Sequence, residues 1–431
     1  MTDSEDKDEG KKAGTKVLTQ QELDVIIKKH EYYATGRMGG IRAHLAHYDL
    51  SNLTFAGKNM SDADFTGAYL VKTDFKGAKL DRAIFFCADL RLANMRGASL
   101  VNADLRGASL RGAMLVGANM TGTDLREGSL SNADSEGGLR QAHANLTVVD
   151  KGGANLSGAN LSDAKMAGAV AAGSVFQNAT MKSVRINKAD LTNADFSGAN
   201  LKNANISNSE MSNINLRNSV LTGAQIDLSA VSKENLEGSL TNAPIGPSLL
   251  DLKIPLDQLL QFHKAWIESS GMDGQQLILD GYDLRGATVF AKAILTMMKA
   301  KGAIMHEVSF MKSYLQAADL RDADLRHCDF READMRGINC AGAKLINADL
   351  SKAQLQPLGL SQNNKLVSDF TGVSFRHASL ANANLSFVKF CNADFGDADL
   401  RGANLESADF TGANFASAQM DDAQKQLLQI Q

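Results

Sequence analysis

The stretch DFTGVSFRHASLANANLSFVKFCNADFGDADLRGANLESADFTGANFASAQM, residues 369–420, sets a large apolar side chain at every fifth position. Phe370, Phe375, Leu380, Leu385, Phe390, Phe395, Leu400, Leu405, Phe410, Phe415 and Met420 follow one another without a gap. Within this run a Phe recurs twenty residues after another Phe, as in Phe370/Phe390 and Phe375/Phe395. A five-residue period walks around an α-helix, which turns 100° per residue, and throws successive large residues to opposite faces of a strand. A chain that turns a corner every five residues and closes a square every twenty satisfies both periods. Each side of the square then offers one large inward residue and one small one. Identical side chains stack above one another at the strand spacing of about 4.8 Å per coil.

Read outward from that stretch, the same period fills most of the 431 residues. From Leu45 to Leu130 every fifth residue is Leu, Met or Phe, and two residues before each the side chain is most often Ala. The frame slips by one residue between Leu130 and Leu146, then resumes from Leu156 to Ile226, with Lys151 and Ala171 as its exceptions. It runs again from Phe310 to Leu355. The units Ala103–Gly107 (ADLRG), Ala154–Gly158 (ANLSG) and Ala408–Gly412 (ADFTG) resemble the A(D/N)LXX unit of pentapeptide-repeat proteins. That resemblance implies an all-β solenoid, a right-handed quadrilateral β-helix with four repeats per coil.

An open-ended solenoid needs its ends covered. Thr19-Gln-Gln-Glu22 reads as a capping box opening a helix that carries Leu23, Ile26, Ile27, His30 and Tyr33 on one side. Pro255, suited to the first helical position, precedes a second stripe of Leu256, Leu259, Leu260, His263 and Trp266. His30-Glu-Tyr-Tyr33 aligns with His263-Lys-Ala-Trp266, and Tyr48-Asp-Leu50 with Tyr282-Asp-Leu284, so the chain reads as an internal duplication. The expected layout is a charged disordered tail (1–17), a capping helix (18–40), a first β-helix (41–236), a linker (237–254), a second capping helix (255–274) and a second β-helix (275–420). Insertions are expected near 289–308 and 356–368. A short helix over 421–431 would lid the second β-helix or pair two chains as a homodimer, with Leu427, Leu428 and Ile430 in contact.

The sequence offers no chemistry of the catalytic kind. Its four cysteines, Cys87, Cys328, Cys340 and Cys391, form no CxxC pair, and Ala43-His-Leu-Ala-His47 lacks the Glu of an HExxH helix. Glycines follow the repeat rather than a phosphate-loop spacing, so no catalytic residue, metal site or cofactor is expected. His30 and His263 read as helix-interface side chains. No apolar leader or 18-residue apolar run is present, which leads to the expectation of a cytoplasmic chain with no transmembrane segment.

Charge separates the remaining functions. Some pentapeptide-repeat proteins mimic a DNA duplex and bind type II topoisomerases, and the resemblance implies that role as the alternative. Mimicry needs a run of uncompensated carboxylates, whereas 45 Lys and Arg stand against 49 Asp and Glu here. Direct nucleic-acid binding is not expected either. The leading expectation is a non-enzymatic scaffold or adaptor that binds one or more proteins through places where the regular wall is interrupted. Those places nominate Glu136 and Arg140, Met297, Met298 and Lys299, and Pro357, Leu358 and Leu360.

Overall fold

The computed structural model describes residues 16–133, 139–143, 153–361 and 364–429. It divides into two compact units, Met1–Asn242 and Ala243–Gln431. In each, parallel bridges join residues twenty apart, as in Thr54 to Asp74 to Asn94 and Ser309 to Asp329 to Asp349. In the regular coils a large inward residue donates its N–H to the coil above, and the bridged residue of that coil donates back. Phe55 N–H thus meets the Asp74 carbonyl at 2.7 Å, and Asp74 N–H meets the Leu53 carbonyl at 2.9 Å. Between the sides, Tyr48 N–H closes on the Leu45 carbonyl at 3.3 Å with His47 at φ 63°. A positive φ at the second corner residue is the pattern of a type II turn. Each unit is therefore a four-sided β-helix.

The lumen of each unit is filled by its own cluster of central residues and their small companions. Phenylalanines stack in ladders, with ring centroids 4.8 Å apart for Phe65–Phe85 and 4.9 Å for Phe375–Phe395. Neighbouring ladders meet edge to face, as Phe65 does with Phe75 at 5.9 Å and 86°. Such T-shaped pairs suit the ring quadrupole. Hydroxyls at some small positions are satisfied within the wall, whereas Ser219 Oγ is buried without a partner among the described residues. Thr73 Oγ1 donates to the Leu50 carbonyl and Ser313 Oγ to that of Phe310.

Helix α1, Gln20–Ala34, opens with the reciprocal Thr19–Glu22 capping box. It buries Leu23, Ile27 and His30, while Tyr33 stays outside. Gln20 acts as an extra strand for the lowest coil: its side-chain oxygen accepts Thr54 N–H at 2.9 Å and its nitrogen donates to Thr54 O at 3.1 Å. Strand β1, Ser129–Ala133, pairs antiparallel with β2, Leu139–His143. Helix α2, Leu256–Glu268, takes Pro255 as its N-cap rather than as its first residue and buries His263 fully. Gly40 and Gly274 follow the two helices at matching places, and each lies against the last turns. A Cβ on Gly40 would stand 2.3 Å from Tyr33 N, and one on Gly274 would stand 2.2 Å from Phe262 O. Strands β3, Leu358–Gly359, and β4, Lys365–Leu366, form a small hairpin. Helix α3, Asp422–Gln429, turns Gln424 inward, where its Nε2 donates to the carbonyls of Leu400 and Ala403.

Several expectations are corrected. The segment 289–308 is no insertion: its coils are regular, with Phe290, Leu295, Ala300 and Met305 buried and bridges from Ile294 to Tyr314 and Lys299 to Asp319. One extra residue enters earlier, between Leu284 and Phe290, so that Ile278 pairs with Lys299 twenty-one residues on. Counting in fives from Leu284 lands on outward residues. The misreading is compounded by an exchange of volumes, because Met298 occupies the small position and Ala300 the large one, both fully enclosed. Likewise Leu130 is part of β1 and not a coil residue; the one-residue slip is the remainder of a longer excursion, since Met114 pairs with Asn155, 41 residues on. The expected linker is partly consumed at both ends: Leu240 is inward and bridges Val220, while Pro247 O accepts Asp283 N–H. The expected tail loses its last residues too, as Val17 bridges Asp49; residues 1–15 lie outside the described ones.

Two stability outcomes are expected. Met298→Ala leaves two alanines on one side of the lumen and should cost about 2–5 kcal/mol in chemical denaturation, with Ala300→Leu recovering much of it. Gln424→Ala strips two carbonyls of a donor and should cost roughly 1–3 kcal/mol by the same measurement.

Candidate functional site

Outward positions of a β-helix stand in vertical columns, so the surface is set by the residue before each central position and the two after it. Where Asp precedes and Arg follows, the pair closes on itself. Asp319 Oδ1 accepts the backbone N–H and Nε of Arg321, and Oδ2 accepts Nη2 at 2.6 Å. Nine such pairs are present among the described residues: those of Arg91, Arg106, Arg126, Arg285, Arg321, Arg326, Arg331, Arg336 and Arg401. Four of them, from Asp319 to Arg336, occupy the four successive sides of a single turn of the helix. The guanidinium of Arg321 holds the Asp319 carboxyl below its usual range, and Arg331 and Arg401 do the same for Asp329 and Asp399. The carboxylates are thus neutralised one by one.

Reactive groups are similarly occupied. Burial pushes the thiols of Cys328 and Cys340 up, and Cys328 Sγ donates to Met305 O. A hydrogen bond to Asp409 raises that of Cys391. Burial also draws His377 down to about 4. Among the described residues no group of three or more His, Cys, Asp or Glu is placed to hold a metal ion. No described helix is long and apolar enough to cross a membrane.

The candidate contact residues separate sharply. Met298 is removed from the set, because it belongs to the core. Met297 is a corner residue at φ 61° with its side chain outside, and Lys299 is an exposed rung between Ile278 and Asp319. Met297 N–H donates to Gln316 O, and Ala317 N–H to Arg336 O, which stacks the corners of Met297, Ala317 and Gly337 vertically. Above them the chain leaves the wall after Leu355 and returns at Ser368, whose Oγ accepts Gly337 N–H at 2.8 Å. Pro357 and Leu358 are half-buried and Leu360 is exposed. A Cβ on Gly337 would meet Leu358 at 2.9 Å and Leu366 at 3.0 Å, so the hairpin lies down over that corner.

One coil higher the same corner carries Phe387, 50% exposed at φ 59°. Phe387, Leu366 and Val367 escaped sequence reasoning; the available signal was Phe387 itself, an aromatic at a corner position where Gly and Asn predominate. Met297, Leu360, Leu366, Val367 and Phe387 thus share one corner of the second unit. The other candidates lie elsewhere. Arg140 falls in β2 opposite Asn132, and Glu136 lies outside the described residues. Leu427 is partly exposed on α3 and Leu428 belongs to the same helix, while Ile430 is outside the described residues.

A family model described as pentapeptide repeats matches eight times, at 49–85, 59–97, 88–127, 154–193, 185–223, 323–356, 368–406 and 392–424, more than half of the chain in all. Among solved structures, a pentapeptide repeat protein of the Arabidopsis thaliana thylakoid lumen is 31% identical over 27% of this chain, with a TM-score of 0.20. The match spans 66% of that protein, slightly less than two thirds. QnrB1, a plasmid-mediated fluoroquinolone resistance protein, is 13% identical, with 74% of this chain and 96% of that chain covered and a TM-score of 0.22. HetL, a pentapeptide repeat protein involved in heterocyst differentiation regulation from Nostoc sp. strain PCC 7120, is 19% identical, with 94% and 98% covered and a TM-score of 0.12. No curated protein matches the chain.

Because Leu360 and Phe387 face solvent, Leu360→Asp and Phe387→Asp are expected to leave the thermal transition of the second unit within about 0.5 kcal/mol of the parent. Met298→Asp is expected to abolish that transition, since it buries an unpaired charge. Circular dichroism melts of the three variants distinguish corner from core.

Proposed function

Since the chain belongs to the pentapeptide-repeat family, we propose that it is a non-enzymatic scaffold that binds a protein partner along the corner of its second β-helix bearing the β3–β4 hairpin. The observation carrying this reading is the vertical run of exposed apolar side chains from Met297 through Leu360 and Leu366 to Phe387. Corner residues otherwise have no reason to be large and apolar, and an exposed apolar patch on a rigid wall marks an interaction site. We read α1 and α2 as end caps of two tandem right-handed β-helices, and α3 as a lid held by Gln424 rather than a dimer contact. A cytoplasmic setting agrees with four unpaired thiols.

The alternative, a DNA-mimicking regulator of a type II topoisomerase, is disfavoured by local charge. A mimic must present bare carboxylates, and nine Asp residues here are each clasped by an Arg two positions on. Neither inhibition nor protection of such an enzyme is expected in a supercoiling assay at micromolar protein. Either effect would reinstate that reading.

The hairpin supplies the direct test. Asn339 bridges Asp369 thirty residues on instead of twenty, so removal of residues 357–366 restores the regular period. The shortened protein should fold, with a melting transition near that of the parent. In affinity capture from the host, it should lose a partner that the full chain retains; an unchanged set of partners would show that this corner is not the contact surface.

A further inference from the structure

His30 and His263 are the fully buried histidines of α1 and α2, and they make the same bond. Nδ1 of His30 accepts the backbone N–H of Ala43 at 2.9 Å, and Nδ1 of His263 accepts that of Leu277 at 3.0 Å. Both donors lie where the chain enters the first coil of its β-helix. An accepting Nδ1 requires the neutral tautomer with the proton on Nε2. In His30 that nitrogen donates to Ser61 O, 3.0 Å away, on the last side of the first coil. In His263 the corresponding nitrogen is buried and has no partner at hydrogen-bond distance among the described residues, so there the Nδ1 bond alone ties the imidazole to the wall. The two imidazoles therefore clip a helix to the end of each unit.

We propose that His30 and His263 are matched proton-operated latches: on acidification each takes a proton on Nδ1, gives up its backbone donor, and releases its helix from the first coil. The added N–H points at a buried N–H, so both groups lose their partner at once. Little nearby stabilises the cation. Around His30 stand Asp62, Glu31 and Arg42, but Asp62 is already held by both nitrogens of the Arg82 fork, and Arg42 opposes a second positive charge. Tyr33 adds only a tilted ring at 5.6 Å. Among the described residues no charged group acts on His263, which has the Trp266 ring stacked 5.9 Å away. Burial lowers the proton affinity of both histidines below the ordinary value.

The sign follows from linkage. A histidine whose closed-state affinity is depressed binds fewer protons closed than open, so the closed state is fully favoured above the ordinary value of about 6.5. Below it the advantage falls by about tenfold in the opening constant per pH unit, until the depressed value is reached. Release would uncover the edge of the first coil, including Thr54 and Ser61, as an unpaired strand ready to take another chain.

This inference rests on the reading of α1 and α2 as caps, and hydrogen–deuterium exchange of the full chain between pH 7.5 and 5 tests the two separately. After correction for intrinsic exchange, protection of 20–34 and 256–268 should be high at pH 7.5. It should fall below 6.5, by up to about tenfold per unit until the depressed value is reached, while amides of 65–125 and 370–410 hold. Protection that is low at every pH overturns the caps, and protection that is high and flat overturns the latches alone. His30→Gln should abolish the pH dependence of α1 and leave that of α2; dependence persisting in α1 overturns the assignment. Should that variant not fold, nitrogen-15 imidazole spectra of the parent decide. The Nε2-protonated tautomer must be present at pH 7.5, and its loss must coincide with the loss of helix protection.

Discussion

Everything in this molecule depends on a fixed interior volume per side. The parallel ladder places each coil directly on the one below, so the lumen has no room to widen or shift, and each side must fill its share with one large and one small side chain. Stacked phenylalanines, alanines at the companion positions and the rarity of larger aromatics all follow from that limit. The exchange at Met298 and Ala300 shows what the limit acts on. It constrains the sum of the two residues and is indifferent to which of them is the large one.

That distinction explains how far the sequence could be read. Periodicity finds the wall wherever the large residue keeps its place, and Phe370 to Met420 could be laid out coil by coil before any coordinate was known. The pairing of His30 with His263 was visible as a duplication for the same reason. Periodicity fails where volume changes sides or the frame moves, because a single residue added between Leu284 and Phe290 turns every fifth position from inward to outward. The excursion through β1 and β2 was half visible: Leu130 fits the period by coincidence, and its antiparallel partner Ala142 is set by a hairpin that no five-residue pattern encodes. The corner stripe was less legible still. Leu360 stood out as an interruption, but its alignment with Met297 and Phe387 depends on a ladder that skips the inserted residues.

Charge shows a related economy. An Asp before the central residue bonds to the corner backbone whether or not Arg follows, as Asp64 does with Thr66 and Asp369 with Thr371. When Arg follows, its fork closes on the same carboxylate, and the corner gains an ion pair without adding to the field. A turn-forming unit has become a neutral one, and the solenoid carries many charges with little long-range potential.

The step from Met114 to Asn155 bears on how such a chain closes. The three bridges Met114–Asn155, Asn119–Asn160 and Asp124–Lys165 span 41 residues, whereas the ladders on either side of them span twenty. Loop-closure entropy rises with the logarithm of length, and a doubling costs only about 0.6 kcal/mol. A hairpin of any reasonable size can therefore be hung on a corner almost without penalty to coil formation, provided that chain exit and re-entry share that corner. Long-range contacts in this fold are short in sequence however many coils are added, which keeps the entropic barrier to each new coil roughly constant along the chain.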